Sequence, residues 1–383
     1  MAAAPDGVFI TRLDPGPGIR LAVKDLFDTA GVRTTYGSVV FADHIPTETA
    51  AAVALLEAAG YVNVGKTNLH EFAYGVTSQN LHYGTVPNPG AHGRTAGGSS
   101  GGSAAALVLD LADVALGTDS GGSIRIPAAC CGIAGLKPTY GLVSLDGVFP
   151  LAPSFDHVGP MARNVASLVD PMRVLAPGLE IPSIDLTDLA VGLAWVDGAD
   201  PLVRARVEHA AGLFGAPRTV AFPEPDGYTV FMREVGDVHR EIYPEQSELY
   251  GENIRVKIER CLSISEVEAA AAALRRVEYA RDALAAIDGL DLLLTPTLGF
   301  VAPDASIDEV AERERFVRYT FPFNMLGWPA LALPCGAAED GLPASLQIVG
   351  RPGSDGLVLA AALALEEALK EERRPADKQG DAS

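Results

Sequence analysis

Two serine clusters cushioned by glycine hold the residues of this sequence best suited to chemistry. The first is Gly97-Gly98-Ser99-Ser100-Gly101-Gly102-Ser103. After one apolar run comes the second, Gly117-Thr118-Asp119-Ser120-Gly121-Gly122-Ser123-Ile124-Arg125-Ile126-Pro127-Ala128-Ala129. Glycine lets the backbone turn sharply and bring N–H groups close to a reacting atom. A serine oxygen held on such a turn, with N–H donors beside it, is what nucleophilic acyl transfer needs. A phosphate-binding loop is the plain alternative, but no Gly-Lys-Ser/Thr follows either cluster. Nothing in the sequence places His70 or His157 beside a serine, and His70-Glu71-Phe72-Ala73-Tyr74 lacks the spacing of a zinc-binding helix. The sequence therefore points to no metal. Cys130, Cys131, Cys261 and Cys335 form no CxxC pair or spaced framework, and read as buried free thiols of a reducing compartment.

The elements around these clusters alternate. A helix opening at Thr47 or Glu48 buries Val53 and Leu56 and closes at Gly60; Tyr61 to Gly65 reads as a strand. Ser103 to Leu111 reads as a helix, Asp113 to Gly117 as a strand, and Ser123 to Cys131 as a helix that tolerates Pro127 in its first turn. Strand–turn–helix order implies an α/β sheet with its site on loops at strand C-termini. From Pro171 to about Pro322 helices dominate, the clearest being Ser265 to Ile287, which opens on a capping box and ends before Gly289. Leu290 to Pro296, Ala330 to Pro334 and Ser345 to Gly350 read as buried strands, Asp355 to Lys370 as a helix, and residues 371–383 as a frayed polar tail.

The chain has 383 residues, 48% of them hydrophobic, enough for a large packed core. Its 49 acidic and 29 basic residues give a formal charge of −20, a field that repels phosphate backbones and argues against nucleic-acid binding. Met1 to Phe9 has no basic segment leading into an apolar one, and no apolar run reaches membrane-span length, so a cytoplasmic protein is expected.

The serine clusters, together with Ala22-Val23-Lys24-Asp25, Gly65-Lys66-Thr67-Asn68, Gly135-Leu136-Lys137-Pro138-Thr139-Tyr140-Gly141, Leu293-Leu294-Thr295-Pro296-Thr297 and Gly341-Leu342-Pro343-Ala344-Ser345-Leu346-Gln347-Ile348-Val349-Gly350, resemble the amidase signature family. The likeness is dense over residues 19–165 and 290–355. It implies one α/β domain over residues 1–370, with a central mixed, twisted sheet covered by helices on both faces. It also implies a Ser–cis-Ser–Lys triad: Lys24 as base, Ser99 as bridge, Ser123 as nucleophile. The apolar approach Ile19 to Val23 favours burial of Lys24, and burial lets a lysine lose its proton. Backbone N–H groups of Ser120, Gly121, Gly122 and Ser123 would form the oxyanion hole, with Ser120 contributing only its N–H. The start of a helix at Ser123 would favour the developing charge.

Ser100 is expected to bond the loop backbone, Ser103 to cap the following helix, and Asp119 and Arg125 to pair as structural support. The resemblance implies amide hydrolysis without metal or cofactor, on a small-molecule amide; a homodimer stays open. The glutaminase component of a glutamyl-tRNA amidotransferase, which frees ammonia from glutamine for a partner, shares every one of these motifs. The segment before Lys24 is shorter here than is usual in the family. Phe72, Tyr74, Ile126 and Trp328 are the expected pocket wall, although core packing is the default for Trp328. An apolar wall of this kind favours amides of aromatic or medium aliphatic acids over glutamine.

Overall fold

A computed structural model describes residues 7–14, 16–225 and 227–373. Eleven strands form one mixed sheet: β1 (Phe9–Arg12), β2 (Ile19–Lys24), β3 (Tyr61–Thr67), β6 (Val114–Thr118), β7 (Ala134–Lys137), β8 (Val158–Ala162), β9 (Val191–Leu193), β10 (Arg218–Thr219), β11 (Leu292–Pro296), β12 (Ala330–Ala337) and β13 (Pro343–Val349). β4 (Gln79–Asn80) and β5 (Gly84–Thr85) make a separate two-stranded ribbon. The sheet order is β1-β3-β2-β6-β8-β7-β12-β13-β11-β9-β10. β3, β2 and β6 run parallel, as do β11, β9 and β10; the strands between them are antiparallel.

Alternation along the strands sorts side chains between the two faces. Leu21 and Val23 of β2, Val114 and Leu116 of β6, and Ala134 and Leu136 of β7 join one apolar cluster. That cluster packs under α1 (Ala51–Ala58), and it continues beneath three further helices, Ala166–Leu175, Pro201–Gly212 and Asp355–Arg373. Ala22 and Ala115 point the other way, into a cluster with α2 (Gly101–Val108) and α3 (Arg125–Cys131). The sheet is therefore covered on both faces, the α/β arrangement that the resemblance implies. By the same alternation Lys24 lies on the α2/α3 side, facing the glycine-serine loops. Leu136→Ala empties a fully buried site in the first cluster and is expected to cost about 2–5 kcal/mol of unfolding free energy, read by chemical denaturation.

The expected elements form, with shifts that have local causes. α1 begins at Ala51 rather than Thr47, because Ala50 N–H bonds Asp28 O and Ala51 N–H bonds Asp146 O, holding the preceding residues extended. α2 begins at Gly101, so Ser103 lies inside its first turn and does not cap it. Ser103 Oγ instead bonds Leu116 O at 3.1 Å and Thr67 Oγ1 at 2.9 Å, tying α2 to β6 and β3. Pro171 lies inside the helix Ala166–Leu175 and marks no boundary. The stretch read as mainly helical also supplies β9 and β10, whose three and two residues are too short to show a strand period. Ser265 and Glu268 form the expected capping box on the helix Glu266–Ala286. The last helix continues to Arg373, three residues into the expected tail; residues 374–383 lie outside the described residues. No helix among the described residues is long and apolar enough to cross a membrane.

Candidate active site

β2 and β6 are neighbours in parallel register, Val23 opposite Leu116, so both release their chains at one edge of the sheet. Lys24 ends β2 and Thr118 ends β6. Lys24 is fully buried, and its Nζ lies 2.8 Å from Ser99 Oγ and 2.7 Å from Thr118 Oγ1. Burial drives its ammonium down to about 7, against the opposing pull of Asp119 and Asp156. A neutral amine has two protons and one lone pair. It can donate to Thr118 and accept from the Ser99 hydroxyl at these same distances. Thr118 stands in the second motif with no role of its own there; only the fold shows that it touches Lys24.

The peptide bond between Gly98 and Ser99 is cis. A Cβ on Gly98 would stand 2.7 Å from Ser78 N, so the loop closes onto the neighbouring backbone only with glycine there. Ser99 O accepts from His70 N–H and Ser78 Oγ, each at 3.2 Å. Ser100 Oγ donates to Thr118 O at 3.3 Å, the loop-backbone bond expected of it. Ser100 N–H also donates to Ser123 O at 3.2 Å, which clasps the two serine clusters together. Ser123 is 6% exposed and directly precedes Ile124, the N-cap of α3. Among the described residues its Oγ makes no hydrogen bond.

The four N–H groups expected to face an oxyanion divide. Those of Ser120, Gly121 and Ser123 have no hydrogen-bond partner among the described residues, whereas Gly122 N–H already donates to Asp119 Oδ1 at 2.8 Å. Gly122 therefore differs from the expectation. Its φ of +126° and the 2.3 Å from a Cβ there to Thr320 Oγ1 give it a different demand for glycine, that of backbone shape. Ser120 also does more than supply an N–H: its Oγ donates to Asp156 Oδ1 at 2.5 Å. Asp156 in turn accepts from Leu151 N–H and Ala152 N–H, and burial raises its carboxyl to about 6 despite these bonds.

Asp119 and Arg125 pair as expected, fully buried, Nη2 to Oδ1 at 2.8 Å and Nε to Oδ2 at 3.0 Å. Burial pushes the Asp119 carboxyl up, but the guanidinium and the bond from Asn324 outweigh it and hold the group below the usual carboxylate range. Arg125 also donates to Gln347 Oε1 and Asn324 Oδ1, each at 2.6 Å, and Thr320 Oγ1 donates to Gly121 O at 2.7 Å. These bonds lock the loop 119–123 to the C-terminal half of the chain. Sequence reasoning assigned no part to Asn324, Thr320 or Asp156, and placed Gln347 only within a motif. The available signal was polarity inside apolar runs: Asn324 within 321–326 and Gln347 between Leu346 and Ile348. Asp119→Asn strips the charge facing a buried guanidinium and is expected to lower unfolding free energy by about 3–5 kcal/mol, measured by denaturant titration.

The remaining expectations are placed as follows. Tyr74 lines a cavity of about 750 Å³, together with Tyr228, Val317 and Phe321. Phe321 and Val317 lie 3.6 and 3.9 Å from where a Gly121 Cβ would stand, so the cavity borders the loop 119–123. The other three expected wall residues do not line it. Phe72 is buried in a stack with Phe149, Tyr250 and His239; Ile126 is buried behind Gly122; Trp328 is 3% exposed against the edge of Phe222. Core packing claims all three: each belongs to the apolar cluster that also takes in Leu293, Ala330 and Val349 of the sheet. His157 Nδ1 faces Phe155 O at 2.7 Å and His70 Nε2 faces Asn253 at 3.2 Å; neither ring bonds a serine. Burial pushes the Cys131 thiol up to about 12 and the Cys130 thiol up as well, which leaves both as thiols rather than reactive thiolates.

This geometry has relatives. The chain is 33% identical over 394 residues to AtzE, the 1-carboxybiuret hydrolase component of Pseudomonas sp. (strain ADP), spanning 93% of this chain and 85% of that one. It is 36% identical over 408 residues to the GatA-type component of glutamyl-tRNA(Gln) amidotransferase from Thermus thermophilus, spanning 93% and 86%. A crystal structure of an amidase superposes with a TM-score of 0.84 at 35% identity, over 91% of this chain and 84% of that one. A family model described as Amidase matches residues 13–179 and 228–359, a range that takes in Lys24, both serine clusters and the Asn324–Gln347 lock. The buried lysine, its serine neighbour and the loops around them thus sit on a shared scaffold, and the chain belongs to the amidase family of C–N hydrolases.

Proposed function

We propose that the chain hydrolyses a carboxylic amide through an acyl-enzyme on Ser123, with Lys24 as base acting through Ser99. The observation that carries this reading is the 2.8 Å contact between Lys24 Nζ and Ser99 Oγ, in burial that brings the amine near neutrality at pH 7. Ser99 passes its proton to Lys24 as it takes the proton of Ser123, and Ser123 Oγ attacks the carbonyl carbon. The oxyanion accepts from the free N–H groups of the loop 120–123; one such donor is typically worth about 3–4 kcal/mol in the transition state. The C–N bond then breaks while the ammonium of Lys24 returns its proton through Ser99 to the leaving nitrogen. Water then takes the place of Ser123 in the relay: it gives a proton through Ser99 to Lys24 as it attacks the ester, and that proton returns to Ser123 Oγ as the ester bond breaks and frees the acid. Thr118, by accepting from Lys24, turns the amine lone pair toward Ser99. The Ser123–Ser99 hydrogen bond forms with substrate in place, as catalytic contacts often tighten only then.

The amidotransferase components among the relatives supply a second reading, release of ammonia from glutamine for a partner. The two part in one assay. Purified chain alone is given simple amides and glutamine, and ammonia and acid are followed by coupled assay and mass spectrometry. Turnover of simple amides without a partner supports the free-standing enzyme. Ammonia from glutamine only with a partner present overturns it in favour of the second reading.

A further inference from the structure

The cavity beside Gly121 is not the apolar pocket expected from the sequence. Five of its lining side chains are Lys or Arg, against two carboxylates, Glu224 and Glu314. The whole chain carries a formal charge of −20, so this concentration of cations runs against its average. A concave wall of one sign focuses field and draws in ligands of the opposite sign.

Four of the five cations have a carboxylate within 4.0 Å, and three of them are held at 3.4 Å or closer. Lys257 Nζ lies 2.6 Å from Glu309, Arg318 lies 3.4 Å from Glu224, and Arg315 lies 3.4 Å from Glu312. Two keep donors to spare. Arg260 has no side-chain partner among the described residues. Arg313 is 13% exposed; its Nε donates to Tyr228 OH at 2.6 Å, and its guanidinium lies over the Tyr74 ring at 4.7 Å. Its nearest acid, Glu309, is 4.0 Å away and already holds Lys257. Nη1 and Nη2 of Arg313 make no hydrogen bond among the described residues, and neither is sealed from the cavity. A guanidinium fixed by aromatic rings, with neither terminal nitrogen in a hydrogen bond and its acid 4.0 Å off, is a fork for a carboxylate.

We infer that the substrate is an anionic amide, one bearing a carboxylate that Arg313 receives in the cavity while the amide carbonyl lies at the loop 120–123. This rests on the amidase reading above and replaces the apolar acyl preference expected from sequence. Val317 and Phe321 line the cavity and lie 3.9 and 3.6 Å from where a Gly121 Cβ would stand, so they lie between the anion site and the loop that would hold the reacting carbonyl. Arg260 stands at the exposed rim and adds attraction without fixing geometry.

The test compares kcat/KM for glutaramate, the monoamide of glutaric acid, with that for pentanamide, which has the same chain length and no charge. The wild type is expected to favour glutaramate by about 30-fold, mostly through KM, as one hydrogen bond between charged groups allows. The ratio is expected to fall below about threefold in Arg313→Met and to recover in part in Arg313→Lys. It should fall a few-fold in Arg260→Met, an exposed position that does not bear on folding. A wild-type ratio near one overturns the inference, as does a ratio unmoved in both Met variants. Calorimetric titration of glutarate into Ser123→Ala separates this from the catalytic reading. Glutarate binding that weakens with salt and with Arg313→Met or Arg260→Met, in a protein that hydrolyses neither amide, upholds the anion site and sinks the amidase reading. Hydrolysis of both amides without preference, and no glutarate binding, does the reverse.

Discussion

Ser123→Ala is expected to lower kcat for amide hydrolysis by about 10⁵–10⁶-fold, the size of loss seen when a nucleophile is removed from a cooperating set. The substitution deletes only Oγ, which makes no hydrogen bond among the described residues. The backbone bond from Ser100 N–H to Ser123 O does not depend on the side chain and stays, as does the free N–H of residue 123. The melting temperature should therefore match wild type within a degree or two. Mass spectrometry of wild type quenched with substrate should show an acyl adduct on the peptide containing Ser123, and the variant should show none. A variant within tenfold of wild-type turnover, or an adduct on another residue, rejects Ser123 as the nucleophile. Ser99 is the informative contrast. Ser99→Ala keeps the nucleophile but breaks the 2.8 Å link to Lys24, and should lose activity without moving the adduct site.

The second large effect is on pH. Lys24 must be neutral to accept a proton, and burial brings it down to about 7 from the ordinary 10.5 of lysine. The sign follows directly. Below about pH 7 the folded enzyme holds Lys24 as an ammonium, so kcat/KM should climb tenfold per pH unit as the proton leaves. Above about pH 7 the amine is free and the profile should level. Asp119 and Asp156 favour the charged amine, so Asp156→Asn should shift the rising limb to lower pH. Lys24→Ala is expected to lose about 10⁴-fold or more in kcat together with the rising limb. A flat wild-type profile between pH 5 and 9, or an active Lys24→Ala, rejects Lys24 as base. Lys24→Met tells charge from packing: it fills the same buried volume, so its loss of activity cannot be put down to a cavity.

The sequence by itself determined several of the regular elements and the types of residue at the site. The Ser265–Glu268 capping box marked the start of its helix, because capping is a local matter of four residues. The apolar approach Ile19 to Val23 pointed to a buried lysine; that this stretch is a strand, whose alternation puts Lys24 on the face away from Leu21 and Val23, only the fold shows. The Asp119–Arg125 pair was legible locally, since six residues of one loop and helix bring the two groups together.

Tertiary structure alone decided the rest, where partners come from far along the chain. Thr118 meets Lys24 across 94 residues, and Asn324 and Gln347 meet Arg125 across 199 and 222. A one-dimensional pattern cannot show that a polar residue in an apolar run has found such a partner; it shows only that a partner is required. The loop 120–123 was divided by the same kind of fact, as the Asp119 carboxylate took the N–H of Gly122 and left those of its neighbours without a partner among the described residues. The pocket was misread for a related reason. Phe72, Ile126 and Trp328 are apolar, and so is the core, so residue type does not say which of them faces a cavity. Arg313 faces one because the Tyr74 and Tyr228 rings from two distant segments fix its guanidinium there, and only folding brings those segments together.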